Sequence, residues 1–518
     1  MGPFGPGIRR ICAVAAASTA AEMRWQIKAG LRETPTIELR LDWLKNDLER
    51  DRLLRWLKGL ASPRRAVFIV TCRRREGGGE FPGSVAEQMR WLARAREAGC
   101  QWWDVEVESR RGSNRGRASA ADSQRGPGLP LRHKPARVLL SLHDFRRTPP
   151  LGRAPAALRD SAADAVKIAT HARTIGDSVR TLRVARRLRN LVAIPMGEIG
   201  LPARILSLRE GSALAYASVA HATAPGQVSL WDFKHLYRAH QLNRATRVYG
   251  VIGYPVAHSL SPLLHNTGFA ATRLNAVYLP FLVKDLADFL KALPEFGLRG
   301  FSITLPHKAA ILKHLDECEP LAADIGAANT VVVRRDGLLY GCNTDFVGVL
   351  RSLEKKFPLE GSRVLIFGAG GAARAAAFAV ARAGAGVSIC ARRESAARSL
   401  ARAVGGEIVP RRALRTARFD AILNATPIGM HPHDQSSPLT ARELNCRLVM
   451  DLIYRPERTK LLQIAASKGI ATVPGLEMFL AQGIAQWELW MKRRAPEPAM
   501  RRAVVAALRA ETKQRRSR

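Results

Sequence analysis

The chain has 518 residues, of which 47% are hydrophobic and 24% are charged. This composition excludes a chain that is disordered throughout, and the length allows two or more domains with their own cores. The formal net charge of +38 would suit a nucleic-acid-binding protein. The surplus arginines, however, are spread with alanines through helical stretches such as RTLRVARRLRN, which is typical of a solvated basic surface on an enzyme.

Seven cysteines are scattered singly along the chain, with no CxxC pair. This pattern predicts neither a disulfide framework nor a metal site, and it favours a reducing compartment. The sequence has no run of eighteen apolar residues that would predict a membrane span. The apolar stretch at residues 11–17 is typical of a first core strand rather than a secretory signal. We therefore expect a cytoplasmic protein.

Short apolar strands alternate with amphipathic helical stretches in the first half, a pattern typical of α/β proteins. We predict eight strands there: RICAVAA, TIELRLD, AVFIVTC, WWDVEVE, RVLLSLH, AVKIAT, LVAIPM and ALAYASV. Eight strand and helix steps in about 235 residues predict a (β/α)8 barrel. The polar segment 109–135, rich in Gly, Pro and Arg, interrupts this rhythm and predicts a mobile insertion.

Barrel enzymes take their catalytic side chains from the carboxyl ends of the strands. The candidates at these ends and in the loops behind them are Glu38, Arg40, Arg73, Glu76, His143, Lys167, Met196 and Arg204. Lys167 lies within an apolar strand, where an ammonium is paired, snorkels to solvent, or is neutral and reactive. A neutral amine would form an imine with a ketone, and His143 would move the proton that this chemistry requires.

Six motifs of the first half occur in order: ELRLD, TCR followed by EGG, LSLHDF, VKIAT, PMG and ATAPGQ. Together they resemble type I 3-dehydroquinate dehydratase over residues 8 to about 235. The resemblance implies that Lys167 forms an imine with the C3 ketone of 3-dehydroquinate. It also implies that His143 takes the C2 proton and helps water to leave, while Glu76 orients it. The substrate-binding residues that it implies are Glu38, Arg40, Arg73, Arg204, Thr223 and Gln227.

Two departures from that family's pattern are visible. The spacing from Arg73 to Glu76 is one residue shorter than the family's, so Arg74 could face the substrate in place of Arg73. Thr223 stands where serine is more usual, and it keeps the hydroxyl. Neither departure affects the lysine or the histidine.

In the second half, SRVLIFGAGGAARAAAFAVARAGA predicts a strand, a glycine turn and a helix. Gly368, Gly370 and Gly371 would let the backbone approach a pyrophosphate at the helix N-terminus. After the next strand the chain has Arg392 and Arg393, where an NAD enzyme would usually have an acidic residue. Because arginine suits a 2′-phosphate, we predict NADP as the cofactor.

Further motifs flank this turn: GYPVAHSLSPLLHN, FSITLPHKAAIL, GAANTVV and GCNTDFVG before it, and LNATPIGM, MDLIYRPERTKLL and GLEMFLAQGIAQWELW after it. Their hydroxyls, amides and one Lys/Asp couple predict a polyol site with a proton donor. The residues concerned are Ser259, Ser261, Thr304, Lys308, Asn329, Asn343, Asp345 and Gln482. This set resembles shikimate dehydrogenase over residues 248 to about 495.

The second resemblance implies two α/β domains with substrate and nicotinamide in the cleft between them. Lys308 would protonate the developing alkoxide and stabilise it, while Asp345 orients the lysine and NADPH reduces the C3 ketone of 3-dehydroshikimate. Tyr454 would join the substrate-binding residues. The cofactor-binding residues would be Gly368, Ala369, Gly370, Gly371, Ala372, Arg392, Arg393, Thr426, Gly475 and Met478. Ser302 replaces the asparagine common in stand-alone bacterial enzymes, and ARR stands where NRT is usual.

We place the boundary between the halves near residue 243. The expected domains are a barrel at 1–240, a substrate-binding α/β domain at 245–345, a Rossmann NADP-binding domain at 346–475, a helix at 476–497 that returns to the substrate domain, and a basic tail at 498–518 that is frayed at its end. The reaction that the first resemblance implies produces 3-dehydroshikimate, and the reaction that the second implies consumes it. We therefore expect a bifunctional enzyme of the aromatic amino-acid pathway. The lack of a long Ser/Arg-rich transit segment before the first strand favours a bacterial, cytoplasmic protein.

Two alternatives remain open. The second half could oxidise quinate rather than shikimate, although Ser261 supports shikimate because its hydroxyl can reach a substrate carboxylate. The chain could instead be a nucleic-acid-binding or regulatory protein that retains enzyme folds and uses its positive charge. The intact Lys167, His143, Lys308 and Asp345 argue against this second alternative.

Overall fold

The computed structural model describes residues 10–60, 66–112, 136–151, 163–188, 190–220, 222–224 and 226–516. The chain divides into two compact units, one made of residues 1–246 with 287–296, the other of residues 247–286 with 297–518. The predicted insertion at 109–135 begins within a short helix that ends at Gly112. Its remainder, 113–135, lies outside the described residues.

Strands and helices alternate along the first unit. Its strands are β1 (Ile11–Ala15), β2 (Thr36–Arg40), β3 (Val67–Thr71), β4 (Trp102–Glu106), β5 (Arg137–Asp144), β6 (Ala165–His171), β7 (Leu191–Met196) and β8 (Ala215–Ser218). Its helices are α1 (Ala20–Glu33), α2 (Asp47–Lys58), α3 (Val85–Glu97), α4 (Val107–Gly112), α5 (Ile175–Arg187) and α6 (Leu201–Glu210). The strands pair in parallel in the order β7-β6-β5-β4-β3-β2-β1-β8, and β7 and β8 contact each other. The sheet is a nearly closed barrel, which confirms the predicted fold.

Local sequence signals begin several of these helices. Ser84 and Glu87 form a reciprocal capping box at the start of α3, and Thr174 and Asp177 do the same for α5. Each box satisfies backbone N–H groups that have no partner within the helix. Gly30 lets α1 lie close to the sheet, because a Cβ there would be 2.9 Å from the Ile37 side chain.

Alternate residues of each barrel strand face the interior. The lower part of the interior is apolar and is filled by residues such as Ile69, Trp102, Leu139, Val192 and Leu214. Two residues further along most of these strands, the inward-facing residues are polar. The inward phase carries Thr71, Asp104, Ser141, Lys167 and Tyr216, and beyond them Arg73, Glu106 and His143. The alternation of side chains along the strands thus places charged groups at the carboxyl end of the barrel.

The second unit contains a mixed six-stranded sheet. Its strands are β9 (Arg247–Gly253), β10 (Ala276–Leu282), β11 (Leu298–Ile303), β12 (Glu317–Cys318), β13 (Thr330–Val333) and β14 (Leu339–Cys342), in the order β10-β9-β11-β13-β14-β12. The strand β13 runs antiparallel to both of its neighbours. The helices of this region are α7 (Ser261–Ala271), α8 (Leu286–Phe296), most of which belongs to the first unit, and α9 (Pro320–Ile325).

A second, fully parallel six-stranded sheet follows. Its strands are β15 (Arg363–Phe367), β16 (Gly386–Cys390), β17 (Glu407–Ile408), β18 (Ala421–Asn424), β19 (Leu448–Asp451) and β20 (Ala471–Val473), in the order β17-β16-β15-β18-β19-β20. This order is that of a Rossmann domain, as predicted. The remaining helices are α10 (Thr344–Glu354), α11 (Gly371–Arg382), α12 (Glu394–Val404), α13 (Lys460–Ser467), α14 (Gly475–Met491) and α15 (Glu497–Arg516).

The end of the chain differs from the prediction of a frayed basic tail. The helix α15 continues to Arg516. Met500, Val504 and Leu508, spaced four residues apart, are at most 3% exposed, and α15 packs against α7. This apolar stripe gives the basic segment one buried face, so it folds as an amphipathic helix. None of the described helices is long and apolar enough to cross a membrane.

Candidate active sites in the two units

Lys167 lies on β6 and points into the barrel, with 3% of its surface exposed. Its Nζ is in ion-pair contact with the carboxylate of Asp104 and lies 3.7 Å from Glu38 Oε1. The same nitrogen lies 4.7 Å from the centre of the Tyr216 ring. Of the three states that the sequence left open for this lysine, the structure shows the paired one.

Asp104 lies on β4, and its side chain is fully buried. Burial alone would raise the pKa of Asp104, but the positive charges of Lys167 and Arg73 outweigh it and hold that pKa below its ordinary value. A carboxylate therefore compensates the buried ammonium. Sequence reasoning missed this residue. The alternation of WWDVEVE, in which Trp102 faces inward two residues earlier, was the available signal.

His143 lies on β5, two residues beyond Ser141, the residue that pairs in register with Lys167. Burial, followed by the positive charges of Arg73, Lys167 and Arg40, lowers the pKa of His143 well below its ordinary value. The imidazole is therefore neutral near pH 7 and can accept a proton. Its Nδ1 is buried and has no hydrogen-bond partner among the described residues.

Glu76 does not take the position predicted for it. Its side chain is 78% exposed and forms an ion pair with Arg74 at 2.7 Å, and no contact described in the structure joins it to His143. The short turn after Arg73 turns Glu76 outward. Glu106, from the inward phase of β4, supplies a buried carboxyl instead.

Glu106 accepts a hydrogen bond of 2.6 Å from Gln88 Nε2, and its Oε1 lies 3.6 Å from Arg73 Nε. Burial raises the pKa of Glu106 above its ordinary value. Arg73 also lies 3.4 Å from Asp104. Arg73 therefore lies in the interior of the barrel, whereas Arg74 pairs with the exposed Glu76.

The other predicted substrate-binding residues of the barrel surround this cluster. Glu38 accepts a hydrogen bond of 2.7 Å from Thr71 Oγ1. Arg40 is held by two hydrogen bonds of 3.0 and 2.7 Å to Asp42, a partner that the sequence analysis did not identify. Arg204, on α6, is 2% exposed, and burial lowers its pKa to about 10.

Thr223 and Gln227 belong to the loop after β8. The backbone N–H and the hydroxyl of Thr223 both donate to Gln227 Oε1, at 2.6 and 2.9 Å. These bonds fix the amide of Gln227 relative to the threonine. The hydroxyl at position 223 thus helps to fix the position of the Gln227 side chain.

The second unit brings together the predicted Lys/Asp couple. Lys308 Nζ donates to Asp345 Oδ2 at 2.5 Å, and Asn329 Nδ2 donates to Asp345 Oδ1 at 2.8 Å. Asp345 lies in the first turn of α10, whose N-terminus is capped by the Asn343 side chain. Asn343 is itself held by Ala327 O at 2.7 Å. The carboxylate is thus fixed on both oxygens, and the lysine side chain keeps 19% exposure.

The other predicted polar residues come from separate elements of the second unit. Ser259 Oγ accepts a bond of 3.2 Å from the backbone N–H of Ser261, which begins α7. Thr304 follows β11. Gln482, on α14, donates to Phe479 O at 2.8 Å. Tyr454 follows β19, and its ring stacks on Phe479 at 4.5 Å.

The second unit also contains a buried hydrogen-bond network that the sequence analysis did not predict. Ser302 Oγ contacts Tyr278 Oη at 2.6 Å and donates to Gln486 Oε1 at 2.8 Å. Gln486 also contacts His265 Nε2 at 3.3 Å and donates to Thr330 Oγ1 at 3.1 Å. Ser302, noted as a replacement of the usual asparagine, is therefore fully bonded within the protein.

We predict that the second unit loses stability in acid because of the buried His265. Burial lowers the pKa of His265 to about 3, whereas the unfolded chain takes up this proton near pH 6.5. The unfolded state thus binds more protons between these values, so the free energy of unfolding falls as pH drops from 6.5 towards 3 and is unaffected above 6.5. At pH 5 the expected loss is about 2 kcal/mol relative to pH 7.

Urea unfolding of the full chain at pH 7 and pH 5, followed by residual activity of the second unit, measures this loss. The His265→Asn variant keeps a polar group towards Gln486 but cannot take up the proton. Its difference in stability between the two pH values should be smaller than the wild type's by that amount. Equal differences in both proteins would contradict the assignment.

The predicted cofactor turn has the geometry of an anion site. Gly368 has a φ of +126°, and a Cβ there would lie 3.1 Å from Ala425 O. Gly370 caps α11 without any side-chain hydrogen bond, and a Cβ at this position would face open space. The N-terminal N–H groups of α11 are therefore not occupied by a capping side chain. A Cβ on Gly371 would lie 3.6 Å from the Lys308 side chain, so the turn lies beside the Lys/Asp couple.

The remaining predicted cofactor residues divide into surface and interior positions. Ala369 and Ala372 flank the turn and are partly exposed, while Arg392 and Arg393 follow β16 and are exposed. Thr426 follows β18, and its hydroxyl donates to Asn424 at 2.7 Å. Gly475 begins α14, where a Cβ would lie 2.5 Å from the Ile453 backbone; Met478 is 7% exposed and packs in the hydrophobic core.

Three sequence families match this chain. Type I 3-dehydroquinase matches residues 11–244, the shikimate dehydrogenase substrate binding domain matches residues 251–331, and the shikimate 5′-dehydrogenase C-terminal domain matches residues 475–505.

The chain is also similar to curated relatives and to solved structures. The chloroplastic bifunctional 3-dehydroquinate dehydratase/shikimate dehydrogenase of Arabidopsis thaliana is 34% identical over 488 residues, which cover 89% of this chain and 78% of the relative. The shikimate dehydrogenase (NADP(+)) of Moorella thermoacetica is 43% identical over 283 residues, covering 52% of this chain and 96% of the relative. The structure of shikimate 5-dehydrogenase from Thermus thermophilus in complex with NADP(H) and shikimate is 37% identical, with a TM-score of 0.47, and the match covers 50% of this chain and 99% of that chain.

Proposed function

This chain belongs to the family of bifunctional 3-dehydroquinate dehydratase/shikimate dehydrogenases, and on that premise we propose which residues carry out each of the two reactions. The first unit dehydrates 3-dehydroquinate to 3-dehydroshikimate, and the second reduces that product to shikimate with NADPH. The observation that carries the assignment is the presence of two separate reactive lysines, each paired with a buried aspartate: Lys167 with Asp104, and Lys308 with Asp345.

In the barrel, Lys167 gives up a proton and attacks the ketone as a neutral amine; the ketone oxygen then leaves as water with two of the protons that Nζ carried, and a protonated imine remains. The positive charge then remains on Nζ, where it was in the free enzyme, so Asp104 can compensate it in both states. His143, neutral because of its lowered pKa, takes the proton next to the imine carbon. The electron pair moves into the imine, the β-hydroxyl leaves with the proton that His143 returns, and water releases the product from Lys167.

The arginines of the barrel are suited to the substrate carboxylate. Arg204 is almost completely buried, and its lowered pKa records the loss of solvation. A bound carboxylate would stabilise the charged form of this guanidinium. Arg40 is oriented by its two bonds to Asp42, and Glu38 and Gln227 can accept or donate bonds to substrate hydroxyls.

In the second unit, the groups of the chain hold the substrate and deliver a proton. The glycine turn and the open N-terminus of α11 fit the pyrophosphate of NADPH, which supplies the hydride when bound. Lys308 gives its proton to the developing alkoxide, and Asp345 holds the lysine in position. We assign the substrate carboxylate to Ser259 and Ser261, and its hydroxyls to Thr304, Asn329, Tyr454 and Gln482.

Arg392 and Arg393 are the expected determinants of NADP over NAD. Both are exposed after β16, where their guanidinium groups can bind a 2′-phosphate. Replacing both by alanine should raise the KM for NADPH by about tenfold or more, since each charged hydrogen bond contributes roughly 1 kcal/mol or more. The KM for NADH should change by less than about twofold. Steady-state kinetics with both cofactors test this; an equal change for both would contradict it.

A coupled assay tests the function as a whole. Purified chain is mixed with 3-dehydroquinate and NADPH, and cofactor oxidation is followed by its absorbance. Oxidation is expected with 3-dehydroquinate, and also with added 3-dehydroshikimate. If NADPH is oxidised with 3-dehydroshikimate but not with 3-dehydroquinate, the dehydratase assignment is wrong. If NADPH is oxidised with neither compound, the dehydrogenase assignment is wrong. Quinate and NADP+ in the reverse direction measure the alternative polyol substrate.

We also infer a cytoplasmic location. All seven cysteines are free, as suits a reducing compartment. Cell fractionation with an antibody to the chain tests this inference, and recovery in an organelle or membrane fraction would contradict it.

A further inference from the structure

Arg455 connects three segments of the second unit that are far apart in sequence. Its Nη1 donates to the backbone oxygen of His258 at 2.6 Å, and its Nη2 binds Glu511 Oε1 at 2.7 Å. The two charged side chains are 23% and 26% exposed, so solvent screens the pair only in part. The guanidinium thus joins the loop before α7, the loop after β19 and the last turns of α15.

The backbone held by Arg455 carries the serines assigned to the substrate carboxylate. His258 immediately precedes Ser259, and Ser259 in turn accepts a hydrogen bond from Ser261. We call residues 254–261 the serine loop. Fixing the His258 carbonyl removes a degree of freedom from the peptide that positions both hydroxyls.

The same helix that carries Glu511 also supports the other end of the serine loop. Met500 and Val504 of α15 are fully buried, and α15 packs against α7, the helix that Ser261 begins. Arg455 is itself anchored, because the neighbouring Tyr454 stacks on Phe479. The C-terminal helix therefore contacts two neighbours of the serine loop. Its buried face packs against α7, and its Glu511 forms an ion pair with Arg455.

We infer that Arg455 and Glu511 are positioning residues for the substrate of the dehydrogenase, and that the C-terminal helix is part of the support of its carboxylate site. This inference rests on the proposed function. Arginine presents two donors in a fixed planar fork, which suits one carboxylate and one carbonyl at once. Without the carboxylate, the guanidinium loses the partner that aims it, and the serine loop must be ordered by the substrate on binding. Lys308 and Asp345 are untouched, so the chemical step should keep its rate.

The test compares Glu511→Gln and Arg455→Met in the full chain with Glu497→Gln. Glu497 is a matched control because it lies on the same helix and pairs with Arg501 at 3.5 Å, away from the serine loop. We expect the KM for 3-dehydroshikimate to rise about three- to tenfold in the first two variants, with kcat within about twofold. The KM for NADPH, the dehydratase activity and all constants of Glu497→Gln should stay at wild-type values.

Two further readouts separate positioning from a general structural role. Salt screens a partly exposed ion pair, so the wild-type KM for 3-dehydroshikimate should rise with added NaCl, and this dependence should be weaker in Glu511→Gln. Arg455→Lys keeps the charge but lacks the fork, and its KM should lie between those of wild type and Arg455→Met.

An unchanged KM in both Glu511→Gln and Arg455→Met would overturn the inference. A parallel fall of kcat for both reactions would also overturn it, because it would indicate a loss of folded protein. If the wild type fails to reduce 3-dehydroshikimate, the proposed function fails instead, so the two failures are distinct.

Discussion

Replacing Lys167 by alanine is expected to abolish dehydration of 3-dehydroquinate while leaving reduction of 3-dehydroshikimate unchanged. The amine is the group that bonds to the substrate, and removal of a covalent nucleophile lowers kcat by about four orders of magnitude or more. The variant also leaves Asp104 buried without the lysine, although Arg73 remains at 3.4 Å. Some loss of stability in the first unit is therefore expected as well.

Two measurements check this result. Borohydride added during turnover should trap the substrate on the wild-type chain as a mass increase at Lys167, and no trapped mass should form on Lys167→Ala. Lys234→Ala is the matched control, because Lys234 belongs to the same unit and is paired with Glu33 at 2.7 Å, outside the barrel cluster. Residual dehydration near the wild-type rate in Lys167→Ala would remove the imine mechanism.

Replacing Lys308 by alanine is expected to have the opposite pattern. The proton donor to the alkoxide is lost, which should lower kcat for 3-dehydroshikimate reduction by about 10²- to 10⁴-fold. Dehydration in the barrel should continue at the wild-type rate. Because Lys308 acts on charge that develops in the transition state, kcat should fall more than the KM rises.

Stopped-flow measurement of NADPH oxidation tests this second result. Lys313→Ala serves as the control, since Lys313 is an exposed lysine in the short helix that follows. Asp345→Asn should lower kcat by a smaller factor, because the lysine remains but loses the carboxylate at 2.5 Å. A Lys308→Ala variant with wild-type kcat would show that another group supplies the proton.

Much of the fold follows from the pattern of the sequence. Apolar strands at regular intervals predict the barrel, and the strand that carries Lys167 appears at residues 165–171. The glycine turn likewise predicts the Rossmann sheet, and the relatives that name NADP(+) agree with the prediction drawn from Arg392 and Arg393. In each case the pattern is local, the spacing of apolar strands or a glycine turn between a strand and a helix, so it can be recognised in a single sequence. The exact domain boundaries and the roles of individual site residues stay predictions.

The sequence analysis placed Glu76 wrongly and did not identify Asp104 or the C-terminal helix. Glu76 was assigned from the family resemblance of the EGG motif, but the direction of its side chain depends on a short turn. Asp104 and Lys167 are 63 positions apart in sequence. The alternation along its strand indicates that Asp104 faces inward, but not which residue it contacts. The C-terminal helix had a local signal, the spacing of Met500, Val504 and Leu508, which the high density of charge around it obscured.

The polar upper half of the barrel has a consequence for heat resistance. An eight-stranded barrel is commonly filled by branched apolar side chains, whereas here the hydroxyl of Tyr216 and Nδ1 of His143 are buried with no hydrogen-bond partner among the described residues. Such groups lower the melting temperature that the fold could otherwise reach, and a bound ligand that meets them recovers part of the difference. Variants selected only for survival at high temperature should therefore lose these groups first, and the dehydration reaction with them.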